Sequence, residues 1–280
     1  MKKISRRSFL AAAAVAAAAL ALTACGGSAS TASSAAASSV AASSEAASTS
    51  AAAAELTTVE AGKLTMATNA TFPPYEMTTD AGTIEGIDVD TAQAIAEKLG
   101  LELQIDDMDF DAALLSVQQG KADIAMAGIT VTDERMAVMS FSDSYATGIQ
   151  SIIVPEGSDI TSPDDLAGKK IGTQRGTTGY IYCSDDFGDD AVVAYDDGLT
   201  AVQALKNGQV DAVVIDNAPA KEYVAANPGL VILDTSYAEE DYAIGMAKGS
   251  ALEDAVNAAL EELKADGTLQ SIVDKYITAE

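Results

Sequence analysis

The 280-residue sequence has no histidine and no tryptophan, two cysteines, six prolines and an aromatic content of 5%. Without histidine, the Ser-His-Asp and Cys-His forms of nucleophilic catalysis are closed to it, as is any histidine-ligated metal. The cysteines are Cys25, at the end of an N-terminal apolar run, and Cys183, which is left without an intramolecular partner and is expected to be a buried structural thiol. Basic residues are scarce: 16 Lys and Arg face 42 Asp and Glu, for a formal charge of −26. Four of those basic residues precede position 25, so without residues 1–24 the charge falls to −30. Such an acidic chain excludes nucleic acid and anionic lipid surfaces as electrostatic partners, and its surface charge reads first as a solubility device. Asp107, Asp109 and Asp111 alternate as in a calcium loop, but Ala112 stands where the loop needs glycine and Gln118 where it needs an acidic residue. No EF-hand, metal site or cofactor is therefore expected.

What is present begins with a leader. Lys2, Lys3, Arg6 and Arg7 precede an apolar run from Phe9 to Leu22, too short to span a bilayer, so residues 1–24 read as an export signal. Leu22-Thr23-Ala24-Cys25 resembles the lipobox of bacterial lipoproteins, which implies that Cys25 is acylated and anchors the protein to a membrane. Ser5-Arg6-Arg7-Ser8-Phe9-Leu10 resembles a twin-arginine signal, with Ala11 where lysine often follows, so the export route stays open. Residues 26–54 are Ser, Ala, Thr and Gly apart from Val40 and Glu45. With no apolar face to bury, they are expected to form a disordered tether holding the rest on the order of 30 Å from the lipid.

From Lys63 onward strand and helix patterns alternate, which is the signature of an α/β fold. Strands are expected at 64–68, 101–105, 123–127, 151–154, 170–173, 191–195 and 211–215. Helices are expected at 88–99, up to Gly120, and at 133–139, 177–184, 199–207 and 218–225. Ser250 and Glu253 suggest a capping box for a helix running to about Ala265, with a last helix near Leu269–Tyr276. Asp88 and Asp90 read as helix-capping residues. Residues 117–126 and 204–214 repeat one theme: a helix end, a Gly turn, an Asp and a buried strand. Two similar halves facing one cleft would follow, since open α/β sheets bind ligands at their strand ends.

The first theme runs into Ala127-Gly-Ile-Thr-Val-Thr-Asp-Glu-Arg135. Gly128 permits close approach to the backbone, Thr130 offers a hydroxyl and an N–H, and Thr132 suits an N-cap that places Arg135 in a first helical turn. This combination suits a carboxylate. The second theme runs into Asp216, so a cation and an anion are expected to face one cleft.

Asn69-Ala-Thr-Phe-Pro-Pro-Tyr-Glu76, Gly86-Ile-Asp-Val-Asp90, residues 127–135 and Gln174-Arg-Gly-Thr-Thr178 together resemble the polar amino-acid-binding proteins of ABC importers, extracellular solute-binding proteins with the glutamine-binding type of fold. The resemblance covers Leu64 to Ile277. It implies the type II periplasmic-binding-protein-like fold, with two lobes, each a sheet flanked by helices, and two crossing hinge strands. Lobe one would be residues 60–146 with 244–280, and lobe two residues 147–243. It further implies a monomer that captures a free polar or basic amino acid by lobe closure and passes it to ABC permease and ATPase subunits.

A free amino acid presents a carboxylate, an ammonium and a side chain. Arg135 is expected to take the carboxylate with Thr130 and the backbone of Thr177 at a helix N-terminus, and Asp216 the ammonium with the Gly128 carbonyl. Ala127 and Thr178 complete the two binding loops. Phe72 and Phe110 match family positions that line the side-chain pocket, where their faces can stack on a planar or cationic group. Asn69 stands where Asp is frequent in glutamine and basic amino-acid binders, and Gln174 where some glutamine binders carry Lys. Both substitutions remove a charge and leave hydrogen-bonding groups. Glu76, if it points inward, could pair with Arg or Lys, and Arg175 is expected at the surface or the cleft rim. Two other classes stay open: an enzyme resembling cyclohexadienyl dehydratases, with Glu76 as its acid, and a ligand-sensing ectodomain, for which a transmembrane segment and output domain would be expected.

Overall fold

The structure, a computed structural model, describes residues 56–277. The expected signal, the lipidated Cys25 and the tether lie outside the described residues.

The chain builds one α/β half, crosses to a second, and returns. It opens with β1 (Lys63–Thr68), a small antiparallel sheet of β2 (Thr71–Phe72), β3 (Glu76–Thr78) and β4 (Ile84–Glu85), then α1 (Ile87–Leu99) and β5 (Glu102–Asp107). It continues through α2 (Phe110–Gln118), β6 (Ile124–Ala125), α3 (Asp133–Val138) and β7 (Met139–Phe141). The second half contains β8 (Ala146–Pro155), β9 (Ile171–Gln174), α4 (Thr178–Phe187), β10 (Val192–Tyr195) and α5 (Gly198–Lys206). It is completed by β11 (Ala212–Asp216), α6 (Asn217–Ala226), β12 (Leu230–Ile232) and β13 (Ala238–Tyr242). The return supplies β14 (Gly245–Ala247), α7 (Glu253–Ala265) and α8 (Thr268–Tyr276) to the first half.

The first half is a five-stranded sheet in the order β5-β1-β6-β14-β7, and the second a six-stranded sheet in which β10-β9-β11-β8-β12 are joined by β13 pairing with β8. In both, the central parallel strands are buried along nearly their whole length because helices cover the sheet faces. Leu64–Thr68 and Ala212–Asp216 are buried throughout. Helix α7 shows the complementary pattern: Val256, Ala259, Leu260 and Leu263 form the buried stripe spaced for a 3.6-residue turn. Each fully buried Leu or Val of this kind is worth ~1.5–3 kcal/mol.

The repeated theme serves one purpose twice. After α2 and after α5 a left-handed glycine turns the chain, Gly120 at φ 65° and Gly208 at φ 69°. The Asp that follows then pins the start of the neighbouring strand: Asp123 accepts from the Thr65 N–H at 2.8 Å and Asp211 from the Lys170 N–H at 2.7 Å.

Two expectations about helix starts are corrected. Helix α7 has no capping box, because it begins at Glu253 itself with Leu252 as N-cap, and a reciprocal Glu must lie three residues inside the helix. Ser250 closes the preceding turn instead, its hydroxyl accepting from the Leu252 N–H. Neither Asp88 nor Asp90 caps α1, whose N-cap is Gly86 at φ 142° with no side-chain cap. A Cβ at Gly86 would lie 2.1 Å from the Tyr75 carbonyl oxygen, so the chain passes too close there for any other residue. Asp90 pairs with Lys275 at 2.7 Å, whereas Asp88 turns into the interior. The small sheet β2–β4 and strands β7, β12, β13 and β14 were not expected; most are too short to show a period. Cys183 is free and buried, as expected of a structural thiol, and burial pushes its pKa up to about 12.

Candidate functional site: a charged cavity between the two sheets

Asn69, Phe72, Glu76, Phe110, Ala127, Gly128, Thr130, Arg135, Gln174, Thr177, Thr178 and Asp216 all line one cavity. The structure therefore brings every residue expected at the site to one place. The cavity is small, with room for about one water. Its side chains contact one another across the gap, so any amino acid must part the two halves to enter.

On the first half, β6 leads into the loop that carries Gly128 and Thr130. Gly128 adopts φ 55°, and a Cβ there would lie 2.8 Å from the Phe72 ring. Thr130 bridges to Tyr242, which fixes the loop against the returning strand. Thr132 caps α3 by accepting from the Arg135 N–H at 3.2 Å, setting the direction in which Arg135 leaves the helix. Arg135 is buried, and its Nη1 donates to the Thr130 carbonyl at 2.7 Å. Nη2 donates across the cleft to the Gly176 carbonyl at 3.1 Å. The guanidinium lies 5.3 Å from the centroid of the Phe110 ring, which accounts for that aromatic residue in the cavity wall. Among the described residues no carboxylate forms an ion pair with it. Burial lowers its pKa, but a guanidinium remains protonated, so the cavity holds a buried cation satisfied only by carbonyls and a π face.

Acidic residues from both halves complete the site. Asp216, at the end of β11, accepts from Gln150 Nε2 at 2.8 Å and from the Tyr242 hydroxyl. Burial, reinforced by the charge of Glu240, raises its pKa to about 7. The same Gln150 amide donates to Glu240 at 2.9 Å, and Glu240 also accepts from the Thr130 hydroxyl at 3.1 Å. Glu76 does point inward: it is 0% exposed, and neither of its carboxylate oxygens has a hydrogen-bond partner. Burial, followed by the charge of Asp88, lifts its pKa well above the ordinary carboxylate range. Asp88 accepts from the Gly128 N–H at 3.0 Å and from the Tyr145 hydroxyl at 2.7 Å, tying the binding loop to the residue just before β8. Four buried carboxyl groups, Glu76, Asp88, Asp216 and Glu240, thus lie in or beside the cavity that holds one buried guanidinium.

Asn69 and Gln174 bond to each other, Gln174 Nε2 donating to Asn69 Oδ1 at 2.9 Å, while Asn69 Nδ2 donates to the Met108 carbonyl. Thr177 caps α4, accepting from the Tyr180 N–H, and Thr178 meets Thr130 hydroxyl to hydroxyl at 3.4 Å. Arg175 is exposed and pairs with Asp196 at 3.6 Å, outside the cavity, as expected of a rim residue.

Sequence reasoning missed Gln150, Glu240, Tyr242 and Tyr145. Glu240 and Tyr242 are two apart on β13 and face inward together. Nothing in the sequence distinguished Glu240 from its exposed neighbours Glu239 and Asp241, and Gln150 is hidden in the apolar run of β8.

With this geometry established, the chain can be placed among known proteins. Residues 64–279 match the model of the bacterial extracellular solute-binding proteins, family 3. The probable histidine-binding protein of Neisseria gonorrhoeae is 33% identical over 222 residues, which cover 77% of this chain and 83% of that protein. The L-cystine-binding protein TcyJ of Escherichia coli K12 is 32% identical over 226 residues, covering 79% and 85% respectively. Among solved structures, the arginine-, lysine-, histidine-binding protein ArtJ of Geobacillus stearothermophilus superposes with a TM-score of 0.75 at 35% identity, covering 78% of this chain and 96% of ArtJ. The fold is the two-lobed α/β architecture of these binding proteins. The chain belongs to the bacterial extracellular solute-binding proteins, family 3.

Proposed function

We propose that this protein is the extracytoplasmic substrate-binding component of an amino-acid ABC transporter, and that it closes around a polar or basic L-amino acid and delivers it to a permease. The observation that carries this reading is the charge arrangement of the cavity: Arg135 has no carboxylate partner, while Asp216 from the other half and the unpartnered Glu76 line the same cavity. An α-carboxylate entering between the lobes replaces carbonyls as the partner of Arg135. The ammonium meets Asp216, and the side chain extends toward Phe72 and Glu76. A basic amino acid, with net charge of about +1, also offsets part of the excess of buried carboxylates. Glu76 is assigned a binding role and no catalytic one, and the relatives named above are binding proteins.

The lobes are assigned as residues 60–146 with 244–280 and residues 147–243, so that Gly128, Thr130 and Arg135 belong to one and Thr177, Thr178 and Asp216 to the other. A ligand satisfies both only in the shut state, which it therefore selects. The protein acts as a monomer, exported by the signal at residues 1–24 and held at the outer face of the cell membrane by lipid on Cys25. Cys25→Ala should move it from the membrane to the soluble fraction.

A thermal-shift screen against the twenty amino acids and cystine tests the reading. A ligand at roughly 100 times its dissociation constant adds about 2.7 kcal/mol of stability and raises the melting temperature by several degrees. If none of these ligands raises it, the amino-acid reading fails.

A further inference from the structure

Leaving aside bonds to β8 and β13, the strands that lead from one lobe to the other, four side-chain hydrogen bonds join the two lobes among the described residues: Thr130 to Thr178, Arg135 to Gly176, Gln174 to Asn69, and Tyr223 to Thr71. The first three each involve a residue of the cavity wall, so an entering amino acid competes with them. The fourth does not. Tyr223 is buried on α6, and its hydroxyl donates to the backbone carbonyl of Thr71 in β2. Burial raises its pKa, so it stays a donor over the whole working range of pH. It lies seven residues beyond Asp216, the N-cap of that helix, about 10 Å along the axis at ~1.5 Å per residue. Its acceptor stands between Asn69 and Phe72, two residues of the cavity wall.

We propose that the Tyr223–Thr71 bond is a closure latch: it holds the lobes together without touching the ligand, and so sets the affinity for every ligand by the same factor. The inference rests on the reading of the cavity as an amino-acid site that opens and closes. Physically, α6 links the group that meets the ammonium to a clamp on the strand that presents Phe72, so the two ends of the cleft shut as one unit. A bond present only in the closed state shifts the open–closed equilibrium by its own free energy. It passes that shift to each ligand's apparent affinity through the closed fraction.

The test is Tyr223→Phe, which keeps the buried ring and removes only the hydroxyl. With Cys25→Ala in place and Cys183 buried, nitroxide labels at Leu115→Cys and Leu199→Cys, both exposed positions, report the distance between lobes in the ligand-free full chain. The latch requires Tyr223→Phe to shift this distance distribution toward longer values. It also requires dissociation constants to rise by roughly 3- to 10-fold, equally for all bound amino acids and through faster dissociation. An unchanged distance distribution overturns it, as does a loss confined to one class of amino acid, which would make Tyr223 a selectivity residue. If the wild-type protein binds no amino acid, the proposed function fails, while the label distances still decide whether the latch exists.

Discussion

Arg135 and Gly176, on opposite sides of the cleft, are joined by one hydrogen bond, from Nη2 to the backbone carbonyl at 3.1 Å. Gly176 is in the left-handed region at φ 73°, and a Cβ there would fall 1.6 Å from Asp111 Oδ1. Glycine suits this backbone conformation, and any Cβ would have to push the Asp111 carboxylate aside. Under the proposed function the carbonyl would give way to a stronger acceptor, since a carboxylate would bond the same fork in a charge-assisted pair.

Arg135→Ala should therefore abolish tight amino-acid binding while the protein stays folded. Two charge-assisted bonds of ~1.5–3 kcal/mol each correspond to a loss of about 100-fold or more. Titration calorimetry alongside a circular-dichroism melt separates the two effects, and unchanged affinity would remove Arg135 from the carboxylate grip.

Glu76→Gln keeps the shape of the cavity wall and removes the carboxyl group that a cationic side chain would ionise. Affinity for arginine or lysine should fall by on the order of tenfold or more, with little change for glutamine. Equal losses for charged and neutral side chains would show that Glu76 does not read the side chain.

The acidic wall predicts opposite pH trends for stability and binding. Asp216 is raised to about 7, first by burial and then by the charge of Glu240. A carboxylate raised on folding contributes stability that is fully present below its unfolded pKa and lost as pH rises through about 7. Asp216→Asn, always neutral, should thus gain melting temperature over the wild type as pH rises through that range. An ammonium needs the ionised carboxylate, so wild-type affinity should weaken on the order of tenfold or more between pH about 7.5 and about 5. Asp216→Asn should flatten this profile and hurt α-amino acids more than their deaminated analogues. A wild-type profile already flat would exclude Asp216 as the ammonium partner.

Much of the site was legible because its parts are local. Thr132 capping the helix that carries Arg135, and Thr177 capping α4, follow from neighbours within four residues, and local hydrogen bonding decides both. The Gly-turn-Asp theme was visible twice for the same reason. What failed depended on distant partners. Asp88 is spaced like a first-turn helix acid, yet it serves Gly128, 40 residues away, and Tyr145, 57 residues away. Ser250 lies a suitable distance before an acidic residue, but the helix starts later than that spacing assumes.

The sequence alone determined the α/β alternation, the loops that line the cavity and the charged residue types they carry, because periodicity, caps and residue types act over a few positions. Tertiary structure decided that Glu76 is buried without a partner, that Gln150 joins Asp216 to Glu240, and that Tyr223 reaches Thr71. Those relationships join residues up to 152 positions apart. No local pattern encodes them, because burial and pairing at that range are properties of the packed lobes.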